Sequence, residues 1–465
     1  MKSVGRMKNI KVDREYIEIY PVNWRNINKE MVDQMFSTRS FDFIKEISLY
    51  VHIPFCPTIC SFCKFNVSKY EPSIYQKYLN ALKKEISFFK NHPDLKNRIV
   101  TAIYFGGGTG SMLAPKEIYE ILNLLYKIFP ISNKAEITVE CHPNTVNSKK
   151  FRDYKKVGVN RISLGIQSFQ DQNLRNIGRN HTAQQNEKLL CEALKAGFDS
   201  VAMDLMYRLP NQTLENLKFD LNKIKELSPT GVSTYSLESE ATPLESKTPE
   251  IPSEKVDKEM FYFIGDFLES IGYHRFMQPD FSKPGKECKY VLNAWRAPQQ
   301  LMIGFGAGAN THYFRGYVWA NVYPVKTYIE TLEQGYFPGV KGVRVSIDEL
   351  KHKYMVLGVR ALSLEKKSFK KMFGEDISNK FSSEITKLKR LRWISEENDY
   401  YKITRKGLYY IDNISKIFYS QANKGKGQPW LKGLYNYIPK KLNKILKSWQ
   451  NTKNLVRLLR KEKVP

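Results

Sequence analysis

The run Cys56-Pro-Thr-Ile-Cys60-Ser-Phe-Cys63-Lys-Phe65 puts three thiols at spacings of four and three on one short loop, directly after the apolar run Ile47 to Ile53. A Cys₄ iron–sulfur cluster takes one thiolate per iron, so three cysteines leave one iron of a four-iron cluster without a protein ligand. An open metal position is what a site needs in order to bind and activate something that is not protein. Two blander readings compete. A structural zinc site would need Cys141, Cys191, Cys288 or His52 as fourth ligand, and such sites usually draw their ligands from two paired CxxC-like knuckles. Buried free thiols do not account for three cysteines in one loop.

Other chemistry-bearing residues recur along the first half of the chain. Tyr50 and His52 alternate with Val51 and so share one side of a strand, either as a packed aromatic pair or as site groups. Gly106-Gly107-Gly108-Thr109 offers free N–H groups and close backbone approach, although a tight turn is the commoner reason for such a run. Glu140 taken alone is a solvated acid at a strand end, and Arg179 taken alone is a surface arginine. Gln167 and Asp204 also fall at or near the ends of β-rich runs.

The elements that must position these groups are legible as an alternation. Strand candidates are Ser48–Ile53, Ala102–Phe105, Glu136–Val139, Arg161–Ile166, Ser200–Tyr207 and Val232–Leu237. Amphipathic helical patterns at Ile74–Lys90, Pro115–Phe129, Ala183–Ala196 and Leu214–Glu226 lie between them. Successive βα units predict parallel strands with helical crossovers, an α/β partial (β/α)6 TIM-like barrel with its chemistry on loops at the strands' C-terminal ends. The chain divides into an N-terminal arm (1–45), the core barrel (46–240) and a barrel-completing or linker region (241–345) that contains Ile303-Gly-Phe-Gly-Ala-Gly-Ala-Asn310. A C-terminal α+β winged-helix-like domain (346–412) and a basic amphipathic helical tail (413–465) follow.

The cysteine loop, read as Tyr50-x-His52-Ile-Pro-Phe-Cys56-x₃-Cys60-x₂-Cys63-x-Phe65, resembles that of the radical S-adenosylmethionine (SAM) superfamily. Within it, the loop is similar to the oxygen-independent coproporphyrinogen III oxidases and their relatives, which include a heme-chaperone branch and two-SAM C-methyltransferases. Gly106-Gly-Gly-Thr109, Glu140-Cys-His-Pro143, Gly158 to Phe169, Gly178-Arg179-Asn-His181 and Met203-Asp204 to Pro210 follow in the family's order, and the resemblance spans about residues 48 to 410. It implies that Cys56, Cys60 and Cys63 hold a [4Fe–4S] cluster whose open iron binds the amino and carboxylate groups of SAM. It also implies reductive cleavage of SAM to methionine and a 5′-deoxyadenosyl radical. Tyr50 and His52 are then the catalytic pair facing the cofactor. Gly107, Gly108, Thr109, Glu140, Gln167, Arg179 and Asp204 contact SAM, with Asp204 on the ribose hydroxyls. Whether one or two SAM molecules bind is left open.

Four departures stand out. The oxidases' fourth cysteine is Phe65 here, the proline usual after the glycine loop is Gly110, and the glycine usual before Leu-Pro is Arg208, which would bring a cation near the pocket. The chaperone branch's heme-binding His-Asn-x-x-Tyr-Trp reads Tyr290-Val-Leu-Asn-Ala294-Trp295, without its histidine, asparagine or tyrosine. The leading expectation is therefore a radical SAM enzyme that modifies a tetrapyrrole or other small molecule by hydrogen abstraction, oxidative decarboxylation or C-methylation. A non-catalytic heme chaperone is the alternative. The resemblance also implies an electron donor such as flavodoxin or ferredoxin.

Composition bounds the rest. A chain of 465 residues with 42% hydrophobic and 13% aromatic content excludes global disorder, and six cysteines with three clustered do not make a disulfide framework. No apolar leader and no uninterrupted apolar run of about 18 residues is visible, so a cytoplasmic or membrane-peripheral location is expected. The net charge is +27, and the stretch from Asn413 onward carries 13 Lys and Arg against Glu462 alone, so about 12 of those charges lie there. An anionic tetrapyrrole would suit the balance. Ile438, Leu442, Ile445, Leu446, Trp449 and Val456 recur at helical steps among lysines. That pattern fits a membrane-surface or partner-binding helix, or one packed on the body with its lysines in water. A nucleic-acid role is the minor alternative, because no basic recognition helix is legible.

Overall fold

The computed structural model describes residues 10–426, apart from 18, 38–43, 91, 93–94, 96, 241, 246–249 and 315. Its core is a run of parallel strands: β1 (Glu46–Ile53), β2 (Ile99–Gly107), β3 (Ile131–Cys141), β4 (Arg161–Gln167), β5 (Ser200–Tyr207) and β6 (Gly231–Ser236), hydrogen-bonded in that order. Crossovers run through α1 (Pro72–Ser87), α2 (Pro115–Ile128), α3 (Ser148–Lys156), α4 (Ala183–Lys195) and α5 (Leu214–Leu227). The strand alternation sorts the two faces. Ile47, Leu49, Val51 and Ile53 of β1 are fully buried in the main hydrophobic cluster, which leaves Ser48, Tyr50 and His52 on the lumen face. The α/β architecture and the partial TIM-like barrel expected from the alternation are present.

Local chemistry starts the helices where the structure has them. Proline opens α1 and α2, Thr182 with Gln185 makes a capping box at α4, and the Thr213 side chain accepts from Asn216 N at α5. Sequence reading left α3 unassigned because its nine residues bury only Phe151 and Tyr154.

The sheet extends beyond the six βα units. On one side α6 (Glu254–Ser270) precedes β7 (Asp280–Ser282), which pairs antiparallel with β6. On the other, β8 (Leu301–Phe305) lies parallel to β1, pairing Leu301 with Ile47 and Phe305 with Val51. β9 (Asn310–Phe314), β10 (Tyr317–Asn321) and β11 (Gly339–Arg344) continue outward as antiparallel neighbours. Among the described residues the sheet has thirteen strands, with Arg25–Asn26 of the arm, paired with β11, at one edge and His274–Arg275 at the other. The barrel-completing or linker region with its glycine-rich centre thus supplies another parallel strand. Its short strands and tight turns carry too little period-two signal for the sequence to show it.

A second hydrophobic cluster holds α7 (Ile347–Gly358), β12 (Ser363–Glu365), α8 (Lys366–Phe373), α9 (Ser382–Leu391), β13 (Ile394–Glu397) and β14 (Tyr400–Ile403). The three strands pair antiparallel in the order β12-β14-β13, which with the helices gives an α+β unit. Ile17, Tyr20 and Val22 of the arm are buried in the same cluster. The boundary at 413 falls inside α10 (Ile411–Ile417), and packing continues to Asn423, whose Oδ1 accepts from Val22 N at 2.8 Å. The basic amphipathic pattern at 438–456 lies outside the described residues. No helix among the described residues is long and apolar enough to cross a membrane.

Candidate active site

The cysteine loop leaves the end of β1 and closes on itself. Phe55–Cys56 pairs parallel with Ser68–Lys69, Ser68 N donates to Pro54 O at 2.7 Å, and Tyr70 N donates to Cys56 O at 3.0 Å. The loop presents three free thiols, Cys56 buried and Cys60 and Cys63 half-buried. Two of the sulfurs accept hydrogen bonds: Thr109 Oγ1 donates to Cys56 Sγ at 3.3 Å, and Arg179 Nη1 donates to Cys60 Sγ at 3.3 Å. Burial pushes the Cys63 thiol up to about 12 and raises Cys56 as well. A thiolate here needs a positive partner, which metal ligation supplies.

The three thiols of the loop fit a four-iron cluster, which spreads its thiolates over separate irons. Three of the four residues that could complete a zinc site are engaged elsewhere. Cys141 Sγ faces Val139 O at 3.6 Å, Cys288 Sγ donates to Glu136 Oε1 at 3.2 Å, and both His52 nitrogens have partners.

The glycine loop packs onto this loop. Gly108 N and Thr109 N both donate to Ile53 O, at 2.9 and 3.2 Å. Gly107 has φ +112°, and a Cβ there would lie 2.5 Å from His52 Nδ1, so only glycine lets the imidazole stand where it does. Gly110 is buried at the start of the turn Gly110–Met112, so the substitution for proline leaves the loop closely packed.

Glu140, at the end of β3, accepts from Tyr104 Oη at 2.8 Å and from Gly107 N at 3.1 Å, while burial raises its carboxyl. Tyr50 Oη donates to His52 Nδ1 at 3.1 Å. The rings of Tyr50, Tyr104 and Tyr290 cluster in the lumen, with the Tyr104 and Tyr290 centroids 4.6 Å apart. Gln167 ends β4 at φ +69°, with its Oε1 buried and unpartnered by protein, and Arg179 Nε is likewise buried and unpartnered. Arg179 Nη2 donates to Gly165 O. Asp204 sits on β5, pushed up to about 8 by burial and by the nearby carboxylates of Glu140 and Asp280.

All the sequence-expected site residues thus gather at one end of the parallel strands. Arg208 does not turn its charge into that site. At φ +59° its Nε donates to Pro252 O and its Nη1 to Leu237 O, and the left-handed backbone explains why glycine suits this position. Sequence reading assigned no role to Tyr104 or Tyr290. Tyr104 has a signal, since it stands two residues before Gly106 on the lumen face. Tyr290 has none, because it arrives on a seven-residue helix from far along the chain.

The radical SAM superfamily profile matches residues 50–224. The heme chaperone HemW of Bacillus subtilis is 32% identical over 370 residues, covering 77% of this chain and 96% of that protein. This chain belongs to the coproporphyrinogen III oxidase-like family of the radical SAM superfamily. The oxygen-independent coproporphyrinogen III oxidase of Synechocystis is 29% identical over 413 residues, 82% of this chain and 87% of that protein. The solved coproporphyrinogen III oxidase of Escherichia coli shares the fold, at TM-score 0.76 and 23% identity, over 88% of this chain and 99% of that one. For a radical SAM protein of this family a [4Fe–4S] cluster and SAM are the implied cofactors, and the thiols and orphaned polar atoms described above fit them.

Proposed function

We propose that this chain is a heme- or tetrapyrrole-handling protein of the chaperone branch that retains a cluster and SAM site. The observation that carries this reading is its similarity to a heme chaperone over nearly the whole of that protein's length. Cys56, Cys60 and Cys63 would hold the cluster, and Gly107, Gly108, Thr109, Glu140, Gln167, Arg179 and Asp204 would hold SAM. When bound, the two supply one-electron chemistry at the mouth of the barrel. The chain's own residues orient and shield. Arg179 carries positive charge to Cys60 Sγ, Glu140 is fixed by Tyr104 and Gly107, and the tyrosine cluster excludes water from the lumen side. An electron donor such as flavodoxin or ferredoxin would reduce the cluster, and a reducing, cytoplasmic compartment suits its oxygen sensitivity.

Heme would not be held by the branch's histidine motif. Tyr290 stands in the histidine's place, and its hydroxyl contacts Met302 Sδ at 2.8 Å inside the barrel. The iron ligand is then another residue.

A second reading, an enzyme that modifies a tetrapyrrole by hydrogen abstraction or methylation, is supported by the similarity to an oxygen-independent coproporphyrinogen III oxidase over 82% of this chain and by the missing histidine of the chaperone motif. Anaerobically reconstituted protein separates the two. A Soret band that saturates near one heme per chain, with no 5′-deoxyadenosine from SAM and dithionite, is expected for the chaperone. Deoxyadenosine formed with a porphyrinogen substrate, without stoichiometric heme binding, would overturn it.

A further inference from the structure

The glycine-rich turn between β8 and β9 has no part in the site as described so far, yet it meets the cysteine loop at one residue. Asn66, three positions after Cys63, donates from Nδ2 to Ala307 O at 2.9 Å and to Tyr323 O at 3.1 Å. Its own backbone oxygen accepts from His52 Nε2 at 3.0 Å. A carbonyl can only accept, so this contact places the His52 proton on Nε2 and leaves Nδ1 to accept from Tyr50 Oη.

The turn is shaped for this bridge. Gly308 has φ +72°, and a Cβ there would stand 2.5 Å from Asn66 Nδ2. Gly306 has φ +108°, and a Cβ there would stand 2.4 Å from Tyr78 Oη and 2.7 Å from His52 O. Behind it the turn is fixed to α1. Gly306 N donates to Glu85 Oε2 at 2.7 Å, Ala307 N donates to Tyr78 Oη at 3.1 Å, and Tyr78 Oη donates to His52 O at 2.7 Å. His52 is thereby held through its backbone by Tyr78 and through its ring by Asn66.

We propose that Asn66 is a positioning residue: its carboxamide pins the far end of the cysteine loop to the 306–308 turn, so that its carbonyl sets the tautomer and orientation of His52 at the cofactor site. The proposal deepens the SAM reading above and rests on it for one of its two readouts.

The first readout needs no cofactor. Long-range ¹⁵N–¹H correlation of the imidazoles in the full chain should show His52 as a single Nε2–H tautomer, and Asn66→Ala should convert it to a mixture. Gly308→Ala, which crowds the same carboxamide from the other side, should do the same, so a folding failure of either variant leaves the other to decide. The second readout uses reconstituted protein and SAM. Asn66→Ala is expected to keep its iron, lose about tenfold in SAM affinity, and weaken the SAM-induced change in the EPR spectrum of the reduced cluster. Combined with His52→Ala it should cost no more than His52→Ala alone, because both act through one imidazole. An unchanged His52 tautomer in both variants, or full additivity with His52→Ala, overturns the proposal. If the unaltered chain binds no SAM, the cofactor reading fails, and the tautomer measurement still decides the role of Asn66.

Discussion

The Arg179 guanidinium meets the Cys60 sulfur across 119 residues of sequence, with Nη1 donating to Sγ at 3.3 Å. Its Nη2 is tied to Gly165 O at the end of β4, so the charge is held by the barrel and not by the cysteine loop. A cation and a hydrogen bond at a cluster sulfur both favour the reduced, more negative state. Arg179→Ala should therefore lower the reduction potential, by about 60 mV, a tenfold change for a one-electron couple. An EPR-monitored redox titration of the reconstituted protein checks it, and an unchanged potential would place the cluster away from this arginine.

Among the six cysteines, iron should depend on the three in the loop. Cys60→Ala is expected to abolish iron and sulfide incorporation, whereas Cys141→Ala and Cys288→Ala should retain both, since those thiols bond to Val139 O and Glu136. Iron and acid-labile sulfide assays distinguish the cases. Loss of metal in either outlying variant would count against the three-ligand site.

Glu85 gives the stability a pH dependence of definite sign. Burial pushes its carboxyl from 4.5 up to about 8, while Gly306 N, Asn321 Nδ2 and Tyr328 Oη hydrogen-bond to it. Between those values the folded chain holds a proton that the unfolded chain has released, so stability falls as pH rises from about 4.5 to 8. Glu85→Gln cannot ionise and should flatten that part of the slope. Urea denaturation of both proteins at the two ends of the window measures the difference; equal slopes would show that Glu85 is ionised in the folded state throughout.

Gly107→Ala should cost about 1–3 kcal/mol from its left-handed backbone alone. The added Cβ would also press on the His52 ring. SAM affinity should drop along with the denaturation midpoint. A variant of unchanged affinity would mean that the ring can move without consequence for the cofactor.

The strand alternation made much of the barrel legible. Short β-rich runs such as Ser200–Tyr207 coincide with β5 to the residue, because a parallel strand buried on both faces reads as a nearly continuous apolar stretch. The glycine-rich segment was visible but unreadable. Gly306 and Gly308 are explained only by Tyr78, His52 and Asn66, which the fold brings there from more than 200 positions away. Tyr290 was aligned with a heme-ligating histidine, and that alignment could not show that its ring lies against Tyr104 in the lumen.

The sequence by itself determined the three thiols on one loop, the order of the βα units and the family to which they belong, because cluster ligation and strand burial are written in local spacing. The tertiary structure alone decided that Arg179 reaches Cys60, that Glu140 is held by Tyr104 and Gly107, and that Asn66 sets the His52 proton. Those are contacts between strand ends and turns far apart in the chain. Their geometry follows from the register of neighbouring strands, which no stretch of sequence encodes locally.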